Sequence, residues 1–163
     1  MSHRIRPLLP PDLDAVLRVQ AACYPPSMQE AAPVLLARLM AAPDTCIGGC
    51  DAIGVCGYLF AYRSRLGAVT ELGAPFAPAL EADTLYLHDL AIDPRALGRK
   101  LARALVEHAL ARGQAAGLAH SALVSVQDSA RFWQALGYRA VANADAALAS
   151  YPPGAVYMTR PLG

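Results

Sequence analysis

What this 163-residue chain lacks narrows its class first. No apolar run approaches the roughly 18 residues a bilayer-spanning helix needs. The first residues, Met1 to Pro7, lack the apolar core of a signal peptide. The formal net charge is only +1, so the charge balance argues for neither nucleic acid nor an anionic membrane as partner. The four cysteines, Cys23, Cys46, Cys50 and Cys56, form no Cys-x-x-Cys pair, and no histidine stands at zinc-finger spacing. They are expected to be reduced, mostly buried small hydrophobes in a cytosolic protein, with no metal. There are no internal repeats and no low-complexity tail.

What is present fits a globular protein. The chain is 55% hydrophobic and 17% charged, without a signature of disorder. Its length suits a single domain over residues 1–163 with a real core. Ile5 to Leu9 reads as a short strand stopped by Pro10-Pro11, and a helix starts at Pro11 and Asp12, with Leu13, Val16, Leu17 and Gln20 at helical spacing. Tyr24-Pro25-Pro26-Ser27 is a loop, and a second helix runs from about Gln29 to Met40. Residues 45–53 and 54–63 form a hairpin turning near Asp51 to Gly54. Residues 66–82 are a long loop, of the kind that often serves function inside a compact domain. A strand over Asp83 to Ile92 precedes a helix that begins after Pro94, runs to about Arg112 and is ended by Gly113 and Gly117. Then come a strand (118–126), a helix capped by Asp128 and stopped by Gly137, and two closing strands at 138–141 and 155–159. The order is β-α-α-β-β-β-α-β-α-β-β, an α/β class with a mixed sheet and helices on both faces.

Residues 83–105 carry the chemistry. A strand, a tight turn and a helix with an open N-terminus present unpaired N–H groups and a positive dipole end, which suits an anion. His88 and Asp89 stand on the strand just before that turn. Period two places Tyr86, His88, Leu90 and Ile92 on one face of a regular strand and Asp89 on the other.

The element order, the run Leu90-Ala91-Ile92-Asp93-Pro94 before a glycine-containing turn, and Phe132-Trp133-Gln134-Ala135-Leu136-Gly137-Tyr138 resemble the GNAT superfamily of N-acetyltransferases over nearly the whole chain. The resemblance implies a GNAT-like fold with a mixed, mostly antiparallel sheet. It also implies acetyl-CoA as cosubstrate and a small-molecule or peptide amine as acceptor, with no part for nucleic acid or membrane, and it leaves room for a homodimer. The family's turn, Arg/Gln-x-x-Gly-x-Gly/Ala, is filled here by Leu97, Gly98, Arg99, Lys100, Leu101 and Ala102. Ala102 fits the last position, Leu97 replaces the usual Arg or Gln, and Lys100 replaces the central glycine. Phosphate is held mainly by backbone N–H groups, so position 97 is not indispensable. Lys100 either crowds the backbone approach or points outward and adds charge. Arg99, Lys100 and Arg103 are the cations near enough in sequence to reach coenzyme phosphates; a solvated helix face is the other reading of Arg103.

Acetyl transfer to an amine needs a deprotonated amine, a held thioester, donors for the oxyanion and a proton for the thiolate. His88 is the candidate base, since an imidazole titrates near neutrality; the alternative is a partly buried structural histidine. The fragment Tyr86 to Ile92 is similar to the same strand of family members that carry histidines at the positions of Tyr86 and His88, which makes Tyr86 a further catalytic candidate. Asp89 either takes part or orients a neighbouring group, and a bulge, frequent in this strand of the family, would re-aim one of the pair. The resemblance gives the backbone of Leu90, Ala91 and Ile92 to the acetyl carbonyl and pantetheine amides. Trp133 stands where the family's acidic tyrosine stands. An indole N–H cannot protonate a thiolate, so that role is unfilled or passes to water, Ser129 or another tyrosine. Trp133 either packs the core or lines the pantetheine channel. Tyr24 is either a wall of the acceptor site or part of a surface turn.

Overall fold

The structure is a computed structural model that describes residues 3–98 and 100–163. Seven strands form one sheet: β1 (Arg4–Pro7), β2 (Cys46–Asp51), β3 (Gly54–Ser64), β4 (Thr84–Ile92), β5 (His120–Ser125), β6 (Arg139–Ala140) and β7 (Val156–Pro161). Four α-helices accompany them: α1 (Leu13–Cys23), α2 (Ala32–Ala41), α3 (Leu101–Ala115) and α4 (Ala130–Ala135). The spatial order is β1-β2-β3-β4-β5-β7-β6. Every pairing is antiparallel except β4 with β5. This is the mixed α/β arrangement expected from the sequence.

Strand alternation builds two cores, one on each face of the sheet. Tyr58, Phe60 and Tyr62 of β3 face α1 and α2, where they meet Val16, Val19, Leu35 and Leu39. Leu59 and Ala61 face α3 and α4, among Leu101, Leu105, Val106, Trp133 and Leu136. Leu101, the first residue of α3, seats in a notch of the sheet. A β-carbon at Gly49 would lie 2.5 Å from its Cδ1, and one at Gly57 2.9 Å from its Cδ2. Two glycines thus let the start of α3 approach the sheet closely.

The strand pairing breaks its period once. Phe60 pairs with Asp89 and Ala61 with Leu87, so His88 is an extra residue in β4 and forms a bulge. The extra residue reverses the alternation beyond it. His88 and Asp89 consequently both turn toward the α1–α2 face, where His88 packs on Phe76 and Tyr86 and Asp89 meets Tyr58. Leu90 and Ile92 pack on the α3 core instead. The regular-strand expectation, with His88, Leu90 and Ile92 together and Asp89 opposite, is therefore corrected.

The helix after Pro94 also begins later than expected. Pro94–Ala96 is a single 3-10 turn held by the Asp93 carboxylate, which accepts from the Arg95 amide at 3.0 Å, and α3 starts only at Leu101. Gly113 lies inside α3, where a β-carbon would come 3.2 Å from Leu85; Gly117, at φ +83°, follows the helix end. Asp128 does not cap α4. It sits at φ 56°, and Ser129 holds the N-cap position.

Gly49→Ala should lower stability by about 1–3 kcal/mol, the usual cost of overpacking, read as a reduced urea midpoint with an unchanged slope. A midpoint equal to wild type would show that the Leu101 notch is slack.

Candidate active site

Beyond the bulge, β4 loses its parallel partner. The last pair between β4 and β5 is Leu87 with Leu123, while β4 continues to Ile92 and β5 stays with β7 to Ser125. The two strands part, and a cleft of about 400 Å³ opens between them. Its walls include residues 87–92, Leu97, Ala102, Val124, Ser129, Phe132 and Trp133. The Asp93 amide donates to the Cys56 carbonyl of β3, so alternation turns the backbone groups of Leu90 and Ile92 away from β3 and into the cleft. Two side chains at the end of α1 reach them there. The Tyr24 hydroxyl donates to the Leu90 carbonyl at 2.9 Å, and the Cys23 thiol to the Ile92 carbonyl at 3.1 Å.

At the inner end of the cleft lies a second, small recess of about 20 Å³. Tyr24, His88, Asp89, Val124 and Val126 wall both spaces; Met28, Glu30, Leu72 and Tyr151 complete the recess. Glu30, which follows the loop after α1, organises this end. Its Oε1 lies 2.6 Å from Arg38 Nη1 and 3.2 Å from His88 Nε2. Its Oε2 accepts from the Gly73 amide at 2.7 Å, and its main chain exchanges two hydrogen bonds with the Gln20 side chain. Arg38 is fully buried and also donates from Nε and Nη2 to the Ala74 carbonyl. Burial would raise the Glu30 carboxyl, but the hydrogen bonds from His88 and Arg38 overcome it and hold the group at about 2.

Asp89 is buried with weaker compensation. Its Oδ2 accepts from the Tyr58 hydroxyl at 3.1 Å. Burial raises its carboxyl above the usual range, against the pull of His88 and of the Tyr24 and Tyr58 hydroxyls. Burial likewise pushes the Tyr24 phenol well above 10, so it stays a proton donor. His88 Nδ1 and Asp89 Oδ1 are buried and have no hydrogen-bond partner among the described residues.

The other sequence-predicted residues scatter. Tyr86 is fully buried behind His88 and walls neither space. Leu101 belongs to the core notch rather than to the cleft. Leu97 and Ala102 line the outer cleft, and Gly98 and Lys100 are exposed beside them. Lys100 takes φ 59°, the left-handed conformation a glycine would adopt freely. Arg103 is exposed and pairs with Glu107 at 3.2 Å, while Arg99 lies outside the described residues. Ser129 gives its hydroxyl proton to the Val126 carbonyl at 2.7 Å. Trp133 does two things: it packs edge-on against Phe132 and Tyr138 in the core and also lines the cleft. The sequence reading missed Glu30 and Arg38. One signal was available: Arg38 falls at helical spacing with Leu35 and Leu39 on the buried face of α2, where a charge demands a partner.

The chain belongs to the acetyltransferase (GNAT) family, whose model matches residues 13–138. No protein of curated function matches it in sequence. Among solved structures it is similar to GphF, a GNAT-like decarboxylase in complex with isobutyryl-CoA. The TM-score is 0.77 at 20% identity, over 99% of this chain and 100% of that one. It is also similar to the ribosomal-protein-S18-alanine N-acetyltransferase of Escherichia coli, with TM-score 0.70, 17% identity and coverage of 99% and 95%. PaiA N-acetyltransferase of Thermoplasma acidophilum in complex with coenzyme A gives TM-score 0.72 at 15% identity, over 99% of both chains. At these identities the likeness shows the fold.

Two tests follow from the electrostatics and the backbone. The Glu30 carboxyl falls from 4.5 to about 2 on folding, so its contribution is full above 4.5 and disappears as pH drops toward 2. Glu30→Gln should be less stable than wild type by roughly 3 kcal/mol at neutral pH, because it leaves Arg38 buried without its carboxylate. That gap should shrink steadily below pH 4.5 in urea titrations; a gap that does not change with pH would refute the ion-pair assignment. Lys100→Gly should raise stability by about 1 kcal/mol by relieving the left-handed backbone, and calorimetry with acetyl-CoA should show affinity kept or improved. A clear loss of affinity would show that the lysine charge matters there.

Proposed function

We propose that the protein is an N-acetyltransferase that moves an acetyl group from acetyl-CoA directly to a primary amine held beside it. The observation carrying this reading is the junction of the two spaces: a cleft open along an unpaired strand edge meets a recess containing a histidine and an aspartate. The cleft suits an acyl-CoA. Its walls are largely apolar, and the backbone of Leu90 and Ile92 faces it with no strand to pair. The amide groups of a pantetheine arm are suited to such an edge, with Leu97, Ala102 and the turn before α3 toward the phosphates. When bound, acetyl-CoA supplies the thioester: the amine lone pair takes the acetyl carbon, the C–S bond breaks, and sulfur leaves with the bonding pair and collects a proton.

The remaining work falls to side chains of the chain. His88 takes the proton that the ammonium must lose before attack. Its Nε2 faces the Glu30 carboxylate, which stabilises the imidazolium that results. Tyr24 fills the role that Trp133 cannot. Its protonated hydroxyl stands at the junction of the two spaces, 2.9 Å from the Leu90 carbonyl, and gives its proton to the departing sulfur, and the second proton that the nitrogen sheds as the amide forms restores the phenol. No cysteine is needed as an acyl carrier. Cys23 is only half-buried, and burial raises its thiol, so it is a poor nucleophile. A non-catalytic acyl-CoA-binding module of the same fold is the alternative, motivated by Leu97, Lys100 and Trp133, which depart from the family's motifs.

Calorimetry with acetyl-CoA, followed by a thiol-release assay over an amine panel, tests the reading. Binding plus amine-dependent thiol release is expected. Tight binding with no release for any amine would establish the non-catalytic module instead. His88→Ala should lower kcat about 10²–10⁴-fold, the usual worth of a general base, and remove the acidic limb of the pH-rate profile; an unchanged limb would sink the base assignment. Tyr24→Phe should lower kcat while sparing acetyl-CoA affinity, and an undiminished kcat would remove it as the acid.

A further inference from the structure

We propose that the small recess behind the bulge seats the ammonium head of a compact amine that carries no carboxylate. The acetyl-transfer reading above supplies the reaction; the chemistry of the seat comes from two atoms on consecutive residues. His88 Nδ1 and Asp89 Oδ1 are buried and unpartnered among the described residues, and both residues wall the recess. Leaving a buried acceptor unmatched is costly, so such atoms point to a missing donor.

Both atoms are acceptors. Nε2 of His88 lies 3.2 Å from Glu30 Oε1, and Glu30 is also in contact with the Arg38 guanidinium at 2.6 Å, so it is an ionised carboxylate that can only accept. The imidazole therefore carries a proton on Nε2, and in its neutral form Nδ1 keeps a lone pair. Asp89 has an oxygen to spare, because Tyr58 uses only Oδ2. The Tyr24 hydroxyl is committed to the Leu90 carbonyl and Arg38 Nε and Nη2 to Ala74, while Arg38 Nη1 and the Tyr86 hydroxyl, which have no hydrogen-bond partner among the described residues, belong to residues that do not line the recess. The missing partner must thus bring at least two hydrogen-bond donors, as an ammonium does.

Charge and size narrow the class further. Arg38 offsets Glu30, and no lysine or arginine lines the recess to offset Asp89. A cation is therefore favoured, while a carboxylate two bonds from the amine nitrogen would face Asp89 and Glu30 with nothing to pair it. A volume of about 20 Å³ matches one water-sized head group. Met28, Leu72, Val124 and Val126 around it suit a short apolar body. Before attack, one ammonium proton passes to Nδ1, giving the neutral amine and an imidazolium that Glu30 balances.

The experiment compares 3-methylbutylamine with leucine, which adds a carboxylate, and with leucinamide, which adds a peptide-like amide. Binding is read by calorimetry in the presence of CoA and turnover by thiol release. The amine should exceed both in affinity and in kcat/KM, leucine by at least about tenfold. Asp89→Asn, a near-isosteric change whose fold is checked by its melting curve, should weaken amine binding about tenfold and shrink the bias against leucine. In the wild type, imidazole nitrogen shifts should report His88 protonated on Nε2; in Glu30→Gln that tautomer preference should relax. Preference for leucine or leucinamide, an unchanged bias in Asp89→Asn, or a proton on Nδ1 would each overturn the amine seat while leaving acetyl transfer intact. Failure to bind acetyl-CoA would instead strike the acetyl-transfer reading.

Discussion

One buried carboxylate ties the active end of this molecule together. Glu30 holds the guanidinium of α2, the imidazole of the β4 bulge and a backbone amide of the long loop before β4, while its own main chain is locked to α1 through Gln20. A charge so deep is tolerated because a guanidinium, an imidazole and a backbone amide all face it. The loop over residues 65–83 lies close because of this hub. Arg38 grips Ala74 and passes 5.0 Å over the Phe76 ring, which in turn stacks on Tyr62 at 4.4 Å. A long loop thereby becomes a wall of the site, contributing Leu72 to the recess.

The bulge at His88 does a different job. By adding one residue to β4 it turns two consecutive polar side chains to the same face, which a regular strand forbids. It also stands where β4 parts from β5. The same few residues therefore open a cleft on one side and furnish a polar recess on the other. The two cores hold this geometry from both faces: aromatic side chains of β3 and β4 under α1 and α2, and aliphatic ones under α3 and α4. The Leu101 notch then brings the start of α3 against the sheet at the outer end of the cleft.

The residues of a family motif change here while their place in the fold is kept. Trp133 packs the core and walls the cleft, and Tyr24, at the end of α1, stands at the junction of the cleft and the recess. Lys100 keeps the backbone shape of the turn before α3 at the cost of a strained φ.

Much of this was legible in the chain itself. Apolar periodicity, Pro10-Pro11, the turn at Asp51 to Gly54 and the Asp93-Pro94 stop are local signals, and they set the element order and the mixed sheet. The family motifs named the strand and turn, and His88 with Asp89 on it. Other features depend on contacts between residues distant in sequence. A bulge is a property of the pairing between β3 and β4, so no periodicity within β4 reveals that His88 and Asp89 share a face or that Leu90 and Ile92 leave it. Tyr86, one step along the same strand, is buried behind the histidine for the same reason. Glu30 reads locally as an acid in the first turn of a helix from Gln29, although α2 begins only at Ala32, and Arg38 reads as a charge misplaced on an apolar helix face. The sequence by itself determined which elements form and that His88 and Asp89 stand on the strand before the turn, because hydrophobic spacing and turn residues act over a few positions. Tertiary structure decided which atoms meet, because the partners of Glu30 come from residue 73, from α2 and from β4, brought together only when the helices and the long loop are packed on the sheet.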